Sequence, residues 1–234
     1  MKVVILAGGR GTRLGDTTKK IPKPMIKLFR IPLLVHIINI YKRQGFKEFV
    51  ILTGYKSKYI AEYFQNTYSE KNISVKCVFT GINTLTGSRI LKIQKQIKEK
   101  DFFLTYGDGL ANINIKKLLT FHKKNNNVAT LTAVRKNLNF GILKISSNNK
   151  VGKFVEKPDN QMINGGFFVF SKNIFKYINK KKSLEFDCFP KLVKIKNLAG
   201  YKHKGFWQCL DNIKDKKYLE KKWKQKNCPW KNLK

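Results

Sequence analysis

The stretch Val3-Val4-Ile5-Leu6-Ala7-Gly8-Gly9-Arg10-Gly11-Thr12-Arg13-Leu14 decides the fold of this chain. Its first four residues are aliphatic and show no polar alternation, which predicts a strand that is buried on both faces. The three glycines that follow let the backbone turn sharply and point its N–H groups at an anion. A glycine-rich turn at the carboxyl end of a buried first strand is typical of an α/β protein that binds a phosphorylated ligand there.

The composition of this loop excludes two common phosphate-binding motifs. No Gly-Lys-Ser/Thr sequence ends it, so it is not a P-loop. Leu14 stands where a dinucleotide-binding fingerprint requires glycine or alanine. Arg13 adds a planar, permanently charged group that suits phosphate oxygens, so we expect the loop to hold a triphosphate. An ordinary tight turn is the weaker interpretation, because the loop carries three glycines and two arginines.

Outward from the loop, the first half of the chain alternates buried strands with amphipathic helices. Apolar spacing predicts helices over 33–44, 58–64, 88–97 and 115–122, and strands over 49–52, 73–79, 102–106 and 129–134. This order predicts an α/β fold with a Rossmann-like, mostly parallel mixed sheet and helices on both faces.

The second half of the chain has a different pattern. Short strands are predicted over 141–146, 151–156 and 165–170, without long helices between them, and an amphipathic helix over 214–224. These three strands are expected to form a small antiparallel extension of the main sheet.

The composition limits the possible functions. The formal net charge of +35 would by itself suit a nucleic-acid-binding protein. However, the lysines are spread along the whole chain and only six arginines accompany them. Since proteins that read bases rely on arginine, composition bias with a general attraction for phosphorylated substrates is the better interpretation, and no specific nucleic-acid partner is expected.

The distribution of apolar residues indicates where the protein resides. No stretch approaches the ~20 apolar residues of a membrane span. The first apolar run is too short for the core of a signal peptide. We therefore expect a cytoplasmic protein without a membrane partner.

Three further residues have side chains that suit phosphoryl transfer. The Pro-Lys-Pro segment 22–24 is stiff, so the ammonium of Lys23 is held ready for a phosphorus centre that accumulates negative charge, although a surface lysine in a proline turn is the alternative. Asp108 follows a buried strand and lies between two glycines, which suits a Mg²⁺ ligand or a simple Asp-Gly turn. Asp211 is a second acid that could equally be a helix N-cap.

Taken in order, these motifs resemble those of the sugar-1-phosphate nucleotidyltransferases, also called sugar-nucleotide pyrophosphorylases. The matching motifs are Leu-Ala-Gly-Gly-x-Gly-Thr-Arg-Leu at 6–14, Pro-Lys-Pro at 22–24, Gly-Asp at 107–108, Glu-Lys-Pro at 156–158, Asn-Gly-Gly at 164–166 and Trp-x-x-x-Asp at 207–211. The likeness covers nearly the whole chain. Within the family it is greatest to the glucose-1-phosphate cytidylyltransferases, on segments 80–89, 105–109, 129–133, 162–169, 205–208 and 229–231.

The resemblance implies a fold and a reaction. The fold is a GT-A-like nucleotidyltransferase domain over 1–234, with a nucleotide-binding half (1–135) and a sugar-phosphate-binding half (136–234). The implied reaction joins CTP and α-D-glucose 1-phosphate, with Mg²⁺, into CDP-glucose and pyrophosphate, and the implied assembly is a homo-oligomer.

The resemblance also implies roles for individual residues. The implied catalytic residues are Arg13 and Lys23, and the implied metal ligands are Asp108 and Asp211. The implied nucleotide-binding residues are Leu6, Ala7, Gly8, Gly9, Arg10, Gly11, Thr12, Arg13, Thr84, Arg89 and Gly107. The implied sugar-phosphate-binding residues are Glu156, Lys157, Asn164 and Gly165.

Departures from the family pattern keep alternatives open. Phe79 runs directly into Thr80, where family members carry a longer insertion, and it stands where aspartate is usual. Another triphosphate (UTP, dTTP or GTP) or another sugar phosphate, such as that of a heptose, remains an alternative. A nucleotide-binding subunit without turnover is an alternative of another class.

Overall fold

The computed structural model describes residues 1–135, 141–156, 161–226 and 228–231. Its strands are β1 (Val3–Ala7), β2 (Lys27–Leu28), β3 (Ile31–Pro32), β4 (Glu48–Thr53), β5 (Ser74–Phe79), β6 (Asp101–Tyr106), β7 (Gly109–Ala111), β8 (Ala129–Arg135), β9 (Ile142–Ile145), β10 (Val151–Val155), β11 (Met162–Ser171), β12 (Leu198–His203) and β13 (Trp207–Cys209). Its helices are α1 (Asp16–Lys20), α2 (Leu33–Lys42), α3 (Ser57–Asn66), α4 (Thr86–Leu91), α5 (Ile115–Asn125), α6 (Phe189–Lys194) and α7 (Ile213–Lys224). Within these described ranges, no helix combines the length and the apolar character needed to cross a membrane.

A seven-stranded sheet in the order β12-β8-β11-β6-β1-β4-β5 forms the centre of the protein. Its strands run parallel except β11, which is antiparallel to both of its neighbours. The predicted α/β fold with a mostly parallel mixed sheet is therefore confirmed. Strand β1 pairs with β4 on one side and with β6 on the other. The segment 8–13 that follows β1, called the glycine loop below, therefore leaves from the middle of the sheet.

Helices cover the sheet on both faces, as predicted. Val3 and Ile5 pack into an apolar layer with α2, α3, α5 and α7. Val4 packs into the opposite layer with α4 and α6. This alternation is the period of two that a strand requires, and here both sets of side chains are buried because both faces are covered.

The predicted extension is smaller than expected. Strands β9 and β10 do form a separate antiparallel hairpin, but the strand predicted over 165–170 belongs to the main sheet instead. In β11 the residues from Phe167 to Phe170 are all buried, so this strand needs apolar cover on both faces. A place between β6 and β8 gives that cover, whereas the edge of a hairpin does not.

The helix predicted over 88–97 has different limits. Helix α4 begins at Thr86 and ends at Leu91, and a short 3₁₀ turn follows over Gln94–Gln96. The N–H groups of Lys92 and Ile93 donate to carbonyls three residues earlier, which tightens the chain and ends the α-helix.

Candidate active site

The glycine loop forms one wall of a cavity of about 370 Å³ at the carboxyl ends of β1 and β6. The residues that line it are Leu6, Ala7, Gly8, Gly9, Gly11, Lys23, Pro24, Thr84, Leu85, Thr86, Arg89, Tyr106, Gly107, Asp108 and Ser183. Eight predicted nucleotide-binding residues are among them: Leu6, Ala7, Gly8, Gly9, Gly11, Thr84, Arg89 and Gly107. The cavity has the size and the main-chain lining of a small-molecule site.

At two positions of this cavity, another part of the chain lies too close to leave room for a side chain, so glycine is required. Gly11 has a φ of +66°, and a Cβ there would lie 2.7 Å from the Cβ of Lys23. A Cβ on Gly107 would lie 2.7 Å from the carbonyl oxygen of Leu6. Side chains at these positions would therefore displace the lysine or push the ends of β1 and β6 apart.

Lys23 joins the two predicted metal ligands. Its Nζ lies 2.7 Å from Oδ2 of Asp108 and 2.7 Å from Oδ1 of Asp211. Burial by itself lowers the pKa of Lys23, but its contacts with the two carboxylates raise that pKa above its ordinary value. Burial works in the opposite direction on Asp211, whose pKa is held below its ordinary value by Lys23, with smaller contributions from Cys209 and Arg13. Lys23 and Asp211 are therefore both charged at neutral pH.

The approach of Asp211 to Asp108 depends on a short strand pair. Strand β13 pairs antiparallel with β7, which directly follows Asp108, and the N–H of Leu210 donates to the Asp108 carbonyl at 2.8 Å. Asp215, the acid of the capping box at the start of α7, accepts from the N–H of Asp211 at 2.9 Å. The backbone of Asp211 is thus fixed from both sides.

The chemistry of this acid pair suits one divalent cation whose remaining ligands come from outside the pair. Within the described parts of the chain, no group of three or more His, Cys, Asp or Glu side chains could hold a metal. Mg²⁺ is commonly bound by one or two carboxylates, and phosphate and water oxygens complete its coordination. Asp108 and Asp211, which contact the same nitrogen atom, are close enough to share one cation.

The two arginines of the loop lie in different surroundings. Arg13 has a side chain that is 79% exposed, and its Nη1 lies 3.5 Å from Oδ2 of Asp211. It lines a smaller cavity of about 250 Å³ with Gly11, Thr12, Lys23, Asp108 and Asp211. Arg10 instead donates to Oδ1 of Asn83 at 3.3 Å and lies near the ring of Tyr55. Arg13 is therefore placed toward the acid pair, and Arg10 is not.

Arg89 is buried, and main-chain acceptors occupy its guanidinium. Nη1 lies 3.0 Å from the Thr53 carbonyl, 2.7 Å from the Gly81 carbonyl and 2.6 Å from Oγ1 of Thr80. Nη2 lies 3.1 Å from the Gly8 carbonyl and 3.2 Å from the Ile82 carbonyl. A Cβ on Gly8 would lie 2.3 Å from this guanidinium. Arg89 thus ties the glycine loop to the ends of β4 and β5.

The predicted sugar-phosphate residues fall into two groups. Asn164 and Gly165 lie on β11 beside the cavity: Nδ2 of Asn164 is 3.3 Å from Oη of Tyr106, and the Gly165 carbonyl accepts from Trp207 at 2.7 Å. Glu156 is exposed at the end of β10, its carboxylate lies near Gly141, and it does not line the cavity. Lys157 lies outside the described residues.

Sequence reasoning missed Glu185, which lies in a π-helical turn over Leu184–Cys188. Its Oε1 accepts a hydrogen bond from the Tyr106 hydroxyl, and its Oε2 accepts from Oγ1 of Thr86 at 2.7 Å. The burial of Tyr106 and the Glu185 charge raise the pKa of this phenol, so the phenol stays protonated as a donor. No periodic pattern in the sequence marks a single acid in such a turn.

The fold and the site define an α/β protein with a glycine-lined cavity and a Lys-Asp-Asp cluster at the carboxyl ends of its central strands. Residues 2–222 match the nucleotidyl transferase family, and the chain belongs to that family.

The chain is also similar in sequence to individual proteins. The chain is 39% identical over 255 aligned residues to glucose-1-phosphate cytidylyltransferase of Salmonella typhi, with 99% of each chain covered. Probable glucose-1-phosphate cytidylyltransferase of Bacillus subtilis (strain 168) is 39% identical over 254 residues, with 99% of each chain covered. Since these alignments are longer than the 234-residue chain, this chain lacks residues that its relatives carry.

Among solved structures, HddC from Yersinia pseudotuberculosis superposes with a TM-score of 0.77 at 26% identity, covering 95% of this chain and 99% of HddC. The same protein complexed with GMP-PN superposes with a TM-score of 0.76.

A further sequence relative, mannose-1-phosphate guanyltransferase of Hypocrea jecorina, is 31% identical, covering 92% of this chain and 62% of that protein.

Proposed function

We propose that this chain transfers a cytidylyl group from CTP to α-D-glucose 1-phosphate, giving CDP-glucose and pyrophosphate. The observation that carries the transferase assignment is the meeting of Lys23, Asp108 and Asp211 at the edge of the glycine-lined cavity. The 39% identity over 99% of the chain to glucose-1-phosphate cytidylyltransferases supports the choice of base and sugar.

The reaction is an in-line attack of a sugar-phosphate oxygen on the α-phosphorus of the triphosphate. A phosphorus–oxygen bond to the sugar phosphate forms, and the bond to the bridging oxygen breaks as pyrophosphate leaves. The chain needs no covalent nucleophile, because positioning and charge stabilisation supply the rate. In this mechanism the N–H groups of the glycine loop hold the triphosphate, and Lys23 and Arg13 face the charge that develops at phosphorus.

Sugar nucleotidyltransferases generally use a divalent metal ion. We propose Mg²⁺ for this chain, held by Asp108 and Asp211. When bound, the metal neutralises charge on the phosphate oxygens and orients them. The two carboxylates hold it at the carboxyl ends of the sheet, beside the glycine loop.

The two sides of the site correspond to the two halves of the chain. We propose that residues 1–135 form the nucleotide side and residues 136–234 the sugar-phosphate side. Asn164 contacts Tyr106, which lines the cavity, and Gly165 accepts a hydrogen bond from Trp207. Glu156 reaches the sugar phosphate in this proposal when the hairpin β9–β10 moves toward the cavity, and we propose Lys157 as a further sugar-phosphate ligand.

Cytosine recognition requires an acceptor for its exocyclic amine and donors for its ring acceptors. Because Arg89 is bonded to main-chain carbonyls, we propose that backbone groups of Gly8, Gly9 and Gly107 read the base and that Arg89 fixes their positions. A polar pocket built for one pattern leaves buried groups unpaired with another base, so discrimination can be large.

A guanine nucleotide is the second candidate, because HddC was solved with GMP-PN and a mannose-1-phosphate guanyltransferase is a relative. A panel of CTP, UTP, dTTP and GTP against the 1-phosphates of glucose, mannose and a heptose, read by pyrophosphate release, separates these possibilities. We expect CTP with glucose 1-phosphate to exceed UTP by at least about tenfold in kcat/KM, or about 1.4 kcal/mol. Equal use of CTP and UTP, or a preference for GTP or dTTP, would contradict the cytidylyl assignment.

A further inference from the structure

The ammonium of Lys23 occupies the space between the two carboxylates that the proposed function assigns to a metal. It lies 2.7 Å from an oxygen of each, and its side chain is only 13% exposed. Arg13 adds a second, more exposed cation 3.5 Å from Asp211. Two negative charges are therefore matched by two positive charges of the chain itself.

We propose that Lys23 is a placeholder for the metal: it excludes a divalent cation from Asp108 and Asp211 until a bound triphosphate draws its ammonium away. The metal therefore enters with the triphosphate and not before it. In this inference the identity of the triphosphate rests on the proposed function. The expected behaviour of the nucleotide-free protein does not.

The donor set supports this exclusion. Two carboxylates supply at most about four of the roughly six oxygens that Mg²⁺ requires, and the described residues form no group of three or more His, Cys, Asp or Glu side chains that could hold a metal. Both carboxylates also already bind Lys23. A triphosphate changes both conditions, because its oxygens can bind the metal and can accept the ammonium.

The geometry gives Lys23 a second position to move to. Its side-chain stem lies against Gly11, in the loop that faces the triphosphate, because a Cβ on Gly11 would be only 2.7 Å from the Cβ of Lys23. Lys23 lines both the glycine cavity and the smaller cavity that contains the acid pair. Rotation about its own side-chain bonds moves the ammonium between the two, while Pro22 and Pro24 hold the backbone still.

If Lys23 is a placeholder, bound triphosphate raises the affinity of the protein for the metal. By linkage, bound metal must then raise the affinity for the triphosphate by the same factor. A lysine that only contacts phosphate would not change the metal affinity of the nucleotide-free protein. The two roles therefore differ in a measurement that requires no turnover.

The test is Mn²⁺ binding to the full chain without nucleotide, measured from the electron paramagnetic resonance signal of the free ion. We expect Lys23→Met to bind Mn²⁺ at least tenfold more tightly than the wild type, and Lys23→Arg to bind it as weakly as the wild type. A non-reactive CTP analogue with a methylene bridge between the α and β phosphorus atoms should raise the Mn²⁺ affinity of the wild type far more than that of Lys23→Met.

Two further variants control the measurement. Lys42→Met also removes one cation and its 2.7 Å contact with Glu70, away from the site, and should bind Mn²⁺ as the wild type does. Adding Asp108→Asn to Lys23→Met should abolish the gained affinity, which locates the ion at the acid pair. If circular dichroism shows that Lys23→Met is unfolded, Lys23→Gln replaces it.

Equal Mn²⁺ affinities of the wild type and a folded Lys23→Met or Lys23→Gln would overturn the placeholder role. Tight Mn²⁺ binding by the nucleotide-free wild type would overturn it as well. The proposed function fails differently. If the triphosphate panel selects another base, only the analogue changes and the nucleotide-free comparison stands. If the placeholder fails, the transfer assay is unaffected.

Discussion

Nη2 of Arg89 donates a hydrogen bond to the Gly8 carbonyl at 3.1 Å, across 81 residues of sequence. The same guanidinium binds the carbonyls of Thr53, Gly81 and Ile82. Its side chain is almost completely buried, so water cannot replace it as the donor. The shape of the glycine loop therefore depends on a residue from α4.

Replacement of Arg89 should damage both stability and nucleotide use. Arg89→Ala removes its bonds to four carbonyls. Those of Thr53 and Gly8 keep the N–H donors of Thr80 and Tyr55, whereas those of Gly81 and Ile82 lose the Arg89 donor. At about 1 kcal/mol for each of these two bonds, we expect a loss of at least about 2 kcal/mol in the free energy of unfolding. Urea denaturation measures this loss. The KM for the triphosphate should rise strongly, whereas the binding of the sugar phosphate should stay nearly intact.

Arg43→Ala provides the matched control for Arg89. Arg43 also donates to main-chain carbonyls, those of Trp230 and Lys231, each at 2.9 Å. Its loss should lower stability without changing the KM for the triphosphate. If both variants change stability and KM in the same proportion, the specific link between Arg89 and the glycine loop is wrong.

The acid pair is tested by removing one charge at a time. Asp108→Asn and Asp211→Asn should each lower kcat by at least roughly a hundredfold, because neutralisation of the developing charge by a metal is worth several kcal/mol. Pyrophosphate release at saturating Mg²⁺ is the measurement, and Glu70→Gln, far from the site, is the control. Wild-type rates from both variants would remove the metal assignment.

Arg13 should act on the transition state more than on binding. Its exposed guanidinium makes only a loose contact with Asp211 among the described side chains, so it is available to a substrate. Arg13→Ala should cost on the order of 3 kcal/mol of transition-state stabilisation, similar to the loss of one preorganised donor. Arg13→Lys, which keeps the charge but not the planar fork, should recover part of it. A change in KM alone would identify Arg13 as a uniform binder instead.

The part of the fold that the sequence predicts correctly is the part with local patterns. Strands β1, β4 and β6 are continuous apolar runs, and α2 has apolar residues at helical spacing, so burial is visible in short windows. Strand β11 has the same apolar character, but no window shows which neighbours it pairs with. Its place in the main sheet is therefore known only from the structure.

The site divides in the same way. The glycine loop and Lys23 are local motifs and can be predicted from the sequence. The approach of Asp211 to Asp108 depends on three-residue strands, β7 and β13, that are too short to show a period. The partners of Arg89 are mostly main-chain carbonyls, which every residue has, so no sequence signal could identify them.

His36 should make the stability depend on pH. Its ring is buried, its Nε2 lies 3.2 Å from the Leu28 carbonyl, and its Nδ1 lies 3.4 Å from Nε1 of Trp230. Burial, assisted by the charges of Lys231 and Arg43 and opposed by the Leu28 bond, lowers its pKa to about 4. The unfolded chain therefore binds a proton below its ordinary pKa of about 6.5 while the folded chain does not, so stability falls as the pH drops from about 6.5 to 4.

Between about pH 6.5 and pH 4, protonation of His36 in the unfolded chain lowers the free energy of unfolding by about 3 kcal/mol. Urea denaturation at pH 7 and pH 4.5, followed by tryptophan fluorescence, should show a smaller pH effect in His36→Gln than in the wild type. Other titrating groups cancel in this comparison. Identical pH effects in the two proteins would show that His36 does not contribute.

Tyr106 belongs to the nucleotide half of the chain, but through its contact with Asn164 it should affect the binding of the sugar phosphate and not that of the triphosphate. Its hydroxyl donates to Glu185 and lies 3.3 Å from Nδ2 of Asn164, so it connects β11 to the π-helical turn. Tyr106→Phe removes that acceptor from Asn164, and the loss of one hydrogen bond of about 1 kcal/mol should raise the KM for the sugar phosphate roughly fivefold. Glu185→Gln keeps an acceptor oxygen for Tyr106 and should have a smaller effect. Initial rates with each substrate varied in turn give both KM values. A rise in the triphosphate KM alone would show that Tyr106 acts on the nucleotide and would contradict its proposed link to the sugar phosphate through Asn164.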